Sequence, residues 1–439
     1  MRFFLRALMA VALLAASSFP AQAQGLRLIR DEEIERTLRD FSLPVFYAAG
    51  LSPESVRLIL VQDSALNAFV AGGQNIFIHT GLILETQTPD ELIGVIAHES
   101  GHIAGGHLAR GQEEAESRSL QALLANIVGV AVAIGAKSSD AGLAISSAGQ
   151  SLSLRGVLRH SRVQESAADQ AGVRYLQDAR LPVAGFARFM EKLAAQELLP
   201  ESQQSEYVRT HPLSEDRVDF LRQMSAQQKN AHIPDEWTPR HERIKMKLLG
   251  YLFPDRALLL KADDTGTRYA QSIAHYRKGD VDKALGLLDP LLKEEPRNPY
   301  FHELRGQVLF EQGRAVESLP SYERALDLLP NAGLIRAAYG HALLESKRNS
   351  DAIRAFQRAL REEPRQSFTH HLLAIAYGRS GQEGLSRLHL AEEAILKNKG
   401  DIARTEANLA LQKLEKSSAG AQRARDILDL LDKKKKNEG

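Results

Sequence analysis

The run PDELIGVIAHESGHIAGG, residues 89–106, is the most informative part of this sequence. Pro89 suits the first turn of a helix, and the two acids after it suit the positive end of the helix dipole. An apolar run follows, and the pair Gly105-Gly106 can end the helix. The pattern predicts one apolar helix that carries His98, Glu99 and His102.

The motif within this run, His98-Glu99-Ser100-Gly101-His102, has the spacing of a helical metal site. Residues four apart lie on one helix face, so both imidazoles can reach a single zinc ion. Glu99 lies about 100° around the axis and can act as a general base on a water at that ion. Burying two histidines and a glutamate on an apolar helix costs free energy unless a ligand pairs with them. The spacing therefore predicts a catalytic zinc site.

The third zinc ligand must come from elsewhere, because a catalytic zinc usually has three protein ligands. The chain has no cysteine, so this ligand is a histidine or a carboxylate. Glu165 is our candidate, since the small residues after it let its helix pack closely against the motif helix. Asp169, four residues on, could accept a hydrogen bond from a liganding histidine. Spacing alone leaves open that both are ordinary surface carboxylates.

Composition limits the classes of protein that are possible. A chain of 439 residues is too long for one core and predicts two or three domains. Lys and Arg number 56 against 55 Asp and Glu, so we predict no nucleic-acid partner. The absence of cysteine excludes disulfides and thiolate metal sites.

The N-terminus has the pattern of a secretory signal peptide. Arg2 and Arg6 precede an apolar run, and Ala21-Gln22-Ala23 supplies a cleavage site. The alternative is an uncleaved anchor, although the apolar run is short for a bilayer. A second uncharged stretch, Leu120–Ala136, is interpreted as a buried or surface-lying helix, with shallow membrane contact as the alternative.

Other elements of the first half follow from periodicity and turn residues. Asp31–Asp40 predicts an amphipathic helix, and further helices are predicted over about 162–177 and from near Ser214. Val56–Val61 predicts a strand. Leu66–Val70 and Asn75–His79 predict a hairpin around Gly72-Gly73. Pro234–Phe253 is interpreted as a mixed connector.

The C-terminal part repeats with a period of 34 residues. Pro296, Pro330 and Pro364 stand at this interval, and Gly306 and Gly340 keep it as well. A period of 34 with small residues, aromatic residues and a closing proline is typical of tetratricopeptide repeats. We expect about four stacked repeats over roughly 268–398, because one such unit cannot bury its apolar face alone.

The predicted fold class is mainly α: an α+β metallopeptidase domain with a small antiparallel sheet, followed by an α-solenoid. The expected divisions are a signal peptide (1–23), the peptidase domain (24–250), a linker (251–264) and the repeats with a C-terminal helix (265–439).

Several short motifs together resemble one known family. They are Asn67-Ala68-Phe69, Gly72-Gly73, Gly81-Leu82, the H-E-x-x-H motif, the E-x-x-A-D motif at 165–169 and His211-Pro212-Leu213. In combination they resemble the HtpX/BepA-like zinc metallopeptidases, a gluzincin family. The signal peptide and the repeats are most similar to its BepA branch, the periplasmic proteases of outer-membrane protein assembly.

The resemblance implies roles for particular residues. Glu165 becomes the third zinc ligand and Asp169 its supporting carboxylate. His211 is similar to a histidine that can approach the zinc and block the water position, or stabilise the transition-state oxyanion. The strand Asn75, Ile76, Phe77, Ile78 and His79 becomes the edge strand that holds a substrate backbone. Arg217 could also face the cleft.

The functional prediction is a zinc endopeptidase of the periplasm with one Zn²⁺ per chain. By resemblance, its partners are outer-membrane β-barrel proteins and their assembly machinery, bound through the repeats, and it also assists their assembly. The alternative is a chaperone or assembly factor that acts through its repeats with little proteolysis.

Overall fold

The computed structural model describes residues 27–106, 131–133, 162–197, 200 and 204–438. The expected signal peptide, residues 1–23, lies outside the described residues. Of the uncharged stretch 120–136, only Ala131–Ala133 is described, and these residues form a strand. The prediction of a helix is therefore wrong for these three residues. None of the described helices is both long and apolar enough to cross a membrane.

A five-stranded sheet forms one layer of the N-terminal domain, in the order β3-β4-β2-β1-β5. Its strands are β1 (Leu28–Arg30), β2 (Arg57–Val61), β3 (Ala68–Ala71), β4 (Asn75–His79) and β5 (Ala131–Ala133). β3 and β4 form the predicted hairpin, but β2 pairs with β4 in parallel and β1 pairs with β5 in parallel. The sheet is thus mixed rather than antiparallel, because sequence alternation shows strands but not the direction of non-local neighbours.

The prediction that Asn75–His79 is an edge strand is wrong. β4 is hydrogen-bonded to β3 on one side and to β2 on the other, so its backbone is already paired along its length. Among the described strands, the end of the sheet on this side is β3. The hairpin was visible in the sequence, but the parallel pairing of β2 was not.

Nine helices of the described residues surround or follow this sheet before the repeats. They are α1 (Glu32–Ala48), α2 (Thr80–Glu85), α3 (Pro89–Ala104), α4 (Arg162–Asp178), α5 (Ala184–Glu197), α6 (Glu206–Thr210), α7 (Glu215–Gln227), α8 (Trp237–Leu252) and α9 (Pro254–Leu258). The helices predicted near 31, 89, 162 and 214 are confirmed. The mixed connector at 234–253 is wrong, since most of it is the helix α8.

Helix α3 is the centre of the domain and packs against α4 at short range. A Cβ atom on Gly101 would lie 2.8 Å from the carbonyl oxygen of Ala168. A Cβ on Gly172 would lie 3.2 Å from the carbonyl carbon of Ala97. Small residues on both helices therefore permit the close approach that the sequence predicted.

Five pairs of consecutive helices follow in the described part of the chain from Thr265 onward. They are α10 (Thr265–Lys278) with α11 (Val281–Glu294), α12 (Pro299–Glu311) with α13 (Ala315–Leu328), α14 (Gly333–Glu345) with α15 (Asn349–Glu362), α16 (Ser367–Arg379) with α17 (Glu383–Leu396), and α18 (Gly400–Lys413) with α19 (Ala419–Glu438). The prolines at the 34-residue interval follow the ends of α11, α13 and α15, as predicted.

The two halves of the chain share one apolar core. Ile78 of the sheet, Leu248 of α8 and Ile273 of the first repeat belong to the same cluster of buried side chains. Helix α8 also carries Lys247, whose Nζ lies 2.8 Å from Asp31 Oδ2. Helix α8 therefore connects the first repeat to the segment that follows β1.

Candidate metal centre

The motif helix α3 places its three polar side chains in a fully enclosed position. His98, Glu99 and His102 each have at most 1% of their surface exposed. The Nε2 atoms of the two histidines are 3.1 Å apart, as the i, i+4 spacing on one face predicts. Two ring nitrogens facing each other inside a protein need either a shared proton or a cation between them.

Glu165 of α4 completes a triangle with these two nitrogens. Its Oε2 lies 3.4 Å from Nε2 of His98, and its Oε1 lies 3.2 Å from Nε2 of His102. The carboxylate is fully buried, and neither oxygen accepts a hydrogen bond of regular geometry within the described part of the chain. The alternative that Glu165 is a surface carboxylate is therefore excluded.

The donor set fits a zinc ion. Zinc–nitrogen bonds of about 2.0–2.1 Å with tetrahedral angles separate neighbouring ligand atoms by about 3.3 Å. The three separations of 3.1, 3.2 and 3.4 Å match this value. With His211 added, one ligand atom from each of the four residues lies within 4.8 Å of the others. Two or three imidazoles and a carboxylate are also the ligand types that zinc prefers.

Asp169 and Arg217 support this cluster from behind. Nδ1 of His98 lies 2.9 Å from Asp169 Oδ1, which leaves Nε2 facing the centre. Arg217 donates to both oxygens of Asp169, at 2.5 and 2.9 Å, and its Nη1 lies 3.0 Å from Glu165 Oε2. Sequence reasoning placed Arg217 near the cleft, but its pairing with two carboxylates depends on where α7 packs.

Electrostatics favour positive charge at the centre of the cluster. Burial would raise the pKa of Glu165, but His211, His102 and His98 outweigh it and hold that pKa well below its usual range. Burial opposes the charged form of His98, yet the hydrogen bond to Asp169 and the nearby Glu165 carboxylate raise its pKa to about 10. The site therefore stabilises a cation, whether a proton or a metal ion.

Glu99 behaves differently from Glu165, although both are buried. Removal from water raises the pKa of Glu99 to about 8, and the nearby His98 only partly opposes this. A carboxyl group with a pKa near neutrality can both accept and return a proton at working pH. The surroundings therefore shift the pKa values of the two glutamates in opposite directions.

His211 reaches the cluster from the end of α6. Its Nε2 lies 3.4 Å from Oε1 of Glu99, and its ring stacks on Tyr207 at a centroid distance of 4.4 Å. Thr210 Oγ1 lies 2.9 Å from its Nδ1. Sequence analysis missed Tyr207, although its position four residues before His211 in a short helix was the available signal.

The fold and these side chains define a metallopeptidase domain followed by a tetratricopeptide-repeat domain. Residues 29–225 match the family model described as Peptidase family M48, and this part of the chain is an M48 peptidase domain. Residues 269–333 and 309–375 match tetratricopeptide-repeat models. The expected fold class is confirmed apart from the mixed pairing of the sheet, and the enzymatic class, a metallopeptidase, is confirmed.

Three relatives are similar to this chain over different lengths. The beta-barrel assembly-enhancing protease of Yersinia pestis is 25% identical over 374 residues, which cover 82% of this chain and 76% of that protein. A putative beta-barrel assembly-enhancing protease of Vibrio cholerae is 29% identical over 360 residues, covering 80% and 72%. The metalloprotease LoiP of Escherichia coli is 33% identical over 180 residues, covering 40% and 64%.

Proposed function

We propose that this chain is a zinc-dependent endopeptidase of the cell envelope that degrades misassembled outer-membrane proteins and assists the assembly of others. The observation that carries the proposal is the triangle of ligand atoms from His98, His102 and Glu165, with separations of 3.1–3.4 Å. These three residues would hold the zinc ion, and Asp169 would orient His98.

Glu99 is the proposed general base. A zinc ion in this site supplies Lewis-acid activation of water and of the scissile carbonyl group. Glu99 takes a proton from the water and later delivers it to the leaving amine. Burial raises the pKa of Glu99 from the usual carboxyl range towards neutrality, which favours return of the proton to the leaving amine. Full enclosure of the carboxylate in the described structure restricts this exchange to water and substrate admitted to the site.

We assign the substrate-binding edge to β3 in place of β4. β3 (Ala68–Ala71) is the terminal described strand on this side of the sheet, and the backbone of Val70 contributes to the electrostatic environment of Glu99. A substrate that added to β3 as a further strand would pass beside the general base. The Asn67-Ala68-Phe69 motif of the family resemblance then lies at the start of this substrate-binding strand.

His211 is the proposed regulator of the site. It stands beside Glu99 and within reach of the fourth ligand position of the cluster. A ligated His211 would take the place of the reacting water and keep the peptidase inactive until a client moves α6. The same ring, once released, lies close enough to stabilise a developing oxyanion.

The proposed clients are outer-membrane β-barrel proteins and their assembly machinery. Two relatives that span most of this chain are named beta-barrel assembly-enhancing proteases. Stacked helix pairs form a surface suited to extended peptides or partner proteins, so the repeats would select the clients. The proposed location is the periplasm after signal cleavage, and peripheral membrane contact through residues near 120–136 remains part of the proposal.

The decisive experiment compares Glu99→Gln with wild type on a purified, unfolded outer-membrane β-barrel protein. We expect the variant to keep its zinc and to lose at least about a hundredfold in cleavage rate. Glu191→Gln, an exposed carboxylate on α5, is the matched control. Normal cleavage by a folded Glu99→Gln protein would refute the mechanism.

The same variant distinguishes proteolysis from assembly. In an envelope-assembly assay, deletion of α18 and α19, whose buried side chains lie outside the core shared with the peptidase domain, should reduce both activities, whereas Glu99→Gln should abolish only degradation. If Glu99→Gln leaves every cellular phenotype intact, the alternative of a mainly non-proteolytic assembly factor is favoured.

A further inference from the structure

A second group of ligand-type side chains lies at the start of α6, apart from the four residues of the metal centre. Asp63 follows β2, His79 ends β4 and Glu206 begins α6. One ligand atom from each residue lies within 4.8 Å of the other two. Three separate segments of the chain therefore bring one imidazole and two carboxylates to a single point.

His79 is the member of this group that points to a ligand. Only 2% of its surface is exposed, yet neither ring nitrogen makes a hydrogen bond of regular geometry among the described residues, and the ring interacts with the Asp63 carboxylate and the backbone of Ala65. Its Nδ1 lies 4.0 Å from Asp63 Oδ2, and its ring otherwise meets the edge of Phe69. A buried imidazole without a hydrogen bond of regular geometry is costly, and a bound cation would remove that cost.

The backbone holds Asp63 and His79 in fixed positions. The carbonyl oxygen of Asp63 accepts from Gly81 N and from Thr80 Oγ1, both at 2.8 Å. Oδ1 of Asp63 accepts from Ala65 N at 2.8 Å, so Oδ2 is the oxygen turned towards His79. The N–H of His79 donates to the Asn67 carbonyl at 3.1 Å. The backbones of two of the three ligand residues are thus already held in place.

The third ligand is carried by the helix that positions His211. Glu206 precedes Tyr207, whose N–H donates to the Leu66 carbonyl at 3.1 Å and whose carbonyl accepts from His211 N at 2.8 Å. A cation between Glu206 and the residues of the sheet would add a second attachment next to the Tyr207–Leu66 hydrogen bond. It would therefore fix α6 to the sheet.

We propose that Asp63, His79 and Glu206 form a second binding site for a divalent transition-metal ion, with zinc as the ion of best fit. One imidazole and two carboxylates suit zinc, whereas calcium takes six to eight oxygen ligands. The distance of 4.0 Å between Asp63 Oδ2 and His79 Nδ1 is longer than two ligands of one zinc ion require. Rotation of the Asp63 side chain, which is 43% exposed, shortens it. The bound ion ties the start of α6 to the ends of β2 and β4.

Zinc binding to the full-length protein tests this site directly. The bound zinc is measured by elemental analysis after equilibrium dialysis over a series of free zinc concentrations. Asp63→Asn and Glu206→Gln should each bind one ion fewer per chain than wild type. Glu236→Gln, an exposed carboxylate outside the group, should bind as many ions as wild type. His79→Gln should also lose one ion, and the two carboxylate variants keep the test valid if that buried substitution prevents folding.

The difference between wild type and variant is the measured quantity, so the result does not depend on the peptidase centre. If the centre at His98 bound no zinc, the wild-type total would fall by one and the loss in Asp63→Asn would remain. Glu165→Gln should show the opposite pattern and keep the ion at His79. Equal zinc binding by wild type, Asp63→Asn and Glu206→Gln at every concentration would overturn the proposal.

A thermal-unfolding series gives a second readout. Added Zn²⁺ should raise the midpoint of wild type more than that of Asp63→Asn, because a ligand that binds only the folded state stabilises it. The same rise in both proteins would contradict a site at Asp63.

Discussion

His98 Nδ1 and Asp169 Oδ1 lie 2.9 Å apart, both fully buried, on two helices that touch through Gly101 and Ala168. This hydrogen bond fixes the ring of His98 so that Nε2 faces His102 and Glu165. Asp169 is itself held by Arg217, which also approaches Glu165. The orientation of one proposed ligand therefore depends on two residues that do not touch the metal position.

Asp169→Asn should weaken zinc binding by about 10–100-fold without removing a ligand. The amide cannot serve as a charged acceptor for both His98 and Arg217, so the ring loses its fixed orientation. Competition with a zinc chelator measures the affinity. Asp219→Asn is the matched control, because Asp219 also pairs with an arginine but at the exposed surface. Unchanged affinity in Asp169→Asn would show that this hydrogen bond does not support the ligand.

His211→Ala should raise basal cleavage and self-cleavage of the purified protein. If His211 caps the centre with a preference of about 1.4 kcal/mol over the open state, its removal gives a rise of about tenfold. Exposed His232→Ala serves as the control. The measurement is the initial rate on a fluorescent peptide without any client. A rate equal to or below wild type would argue that His211 serves the transition state and does not cap the site.

His241 should make the protein acid-sensitive below about pH 6.5. Burial, with help from Lys245, lowers the pKa of His241 to about 3, and its Nε2 lies 2.9 Å from Thr86 Oγ1. Between about pH 6.5 and pH 3 the unfolded chain binds a proton at His241 and the folded chain does not. Stability is therefore present above pH 6.5 and is lost as the pH falls, by about 1.4 kcal/mol per pH unit for one proton.

His241→Gln should flatten this part of the pH dependence, measured as the unfolding midpoint in urea at several pH values. His232→Gln, an exposed substitution, should leave the profile of wild type. Identical slopes for wild type and His241→Gln would mean that the folded protein accepts a proton at His241 without cost.

Gly340→Ala should destabilise the repeats by about 1–3 kcal/mol through overpacking. The added Cβ would lie 2.6 Å from Cε1 of Phe356, on the paired helix. Gly286→Ala is the control from another repeat, because nothing lies within 4 Å of its added Cβ. That change should stabilise helix α11 by up to about 1 kcal/mol. Thermal unfolding of the two variants measures both effects, and a stabilised Gly340→Ala protein would contradict the packing described.

Spacing along the chain was enough to predict the paired zinc-ligand histidines and the helix pairs of the repeats. The i, i+4 positions of His98 and His102 are set by helix geometry, and the structure reproduces them with Nε2 atoms 3.1 Å apart. The 34-residue period likewise predicted the repeat pairs, in which Gly306 and Gly340 face the rings of Tyr322 and Phe356. Each of these relationships lies within one helix or between adjacent helices.

Contacts between segments that are distant in the sequence could not be predicted from spacing. The residue pattern of Asn75–His79 predicted a strand. Only the folded sheet shows that β2 pairs with this strand on the side opposite β3. Chain patterns also gave no sign that Asp63 and Glu206 meet at His79, or that Arg217 joins Asp169 to Glu165. Backbone geometry fixes contacts a few residues apart, whereas contacts between distant segments follow from how whole elements bury their apolar faces.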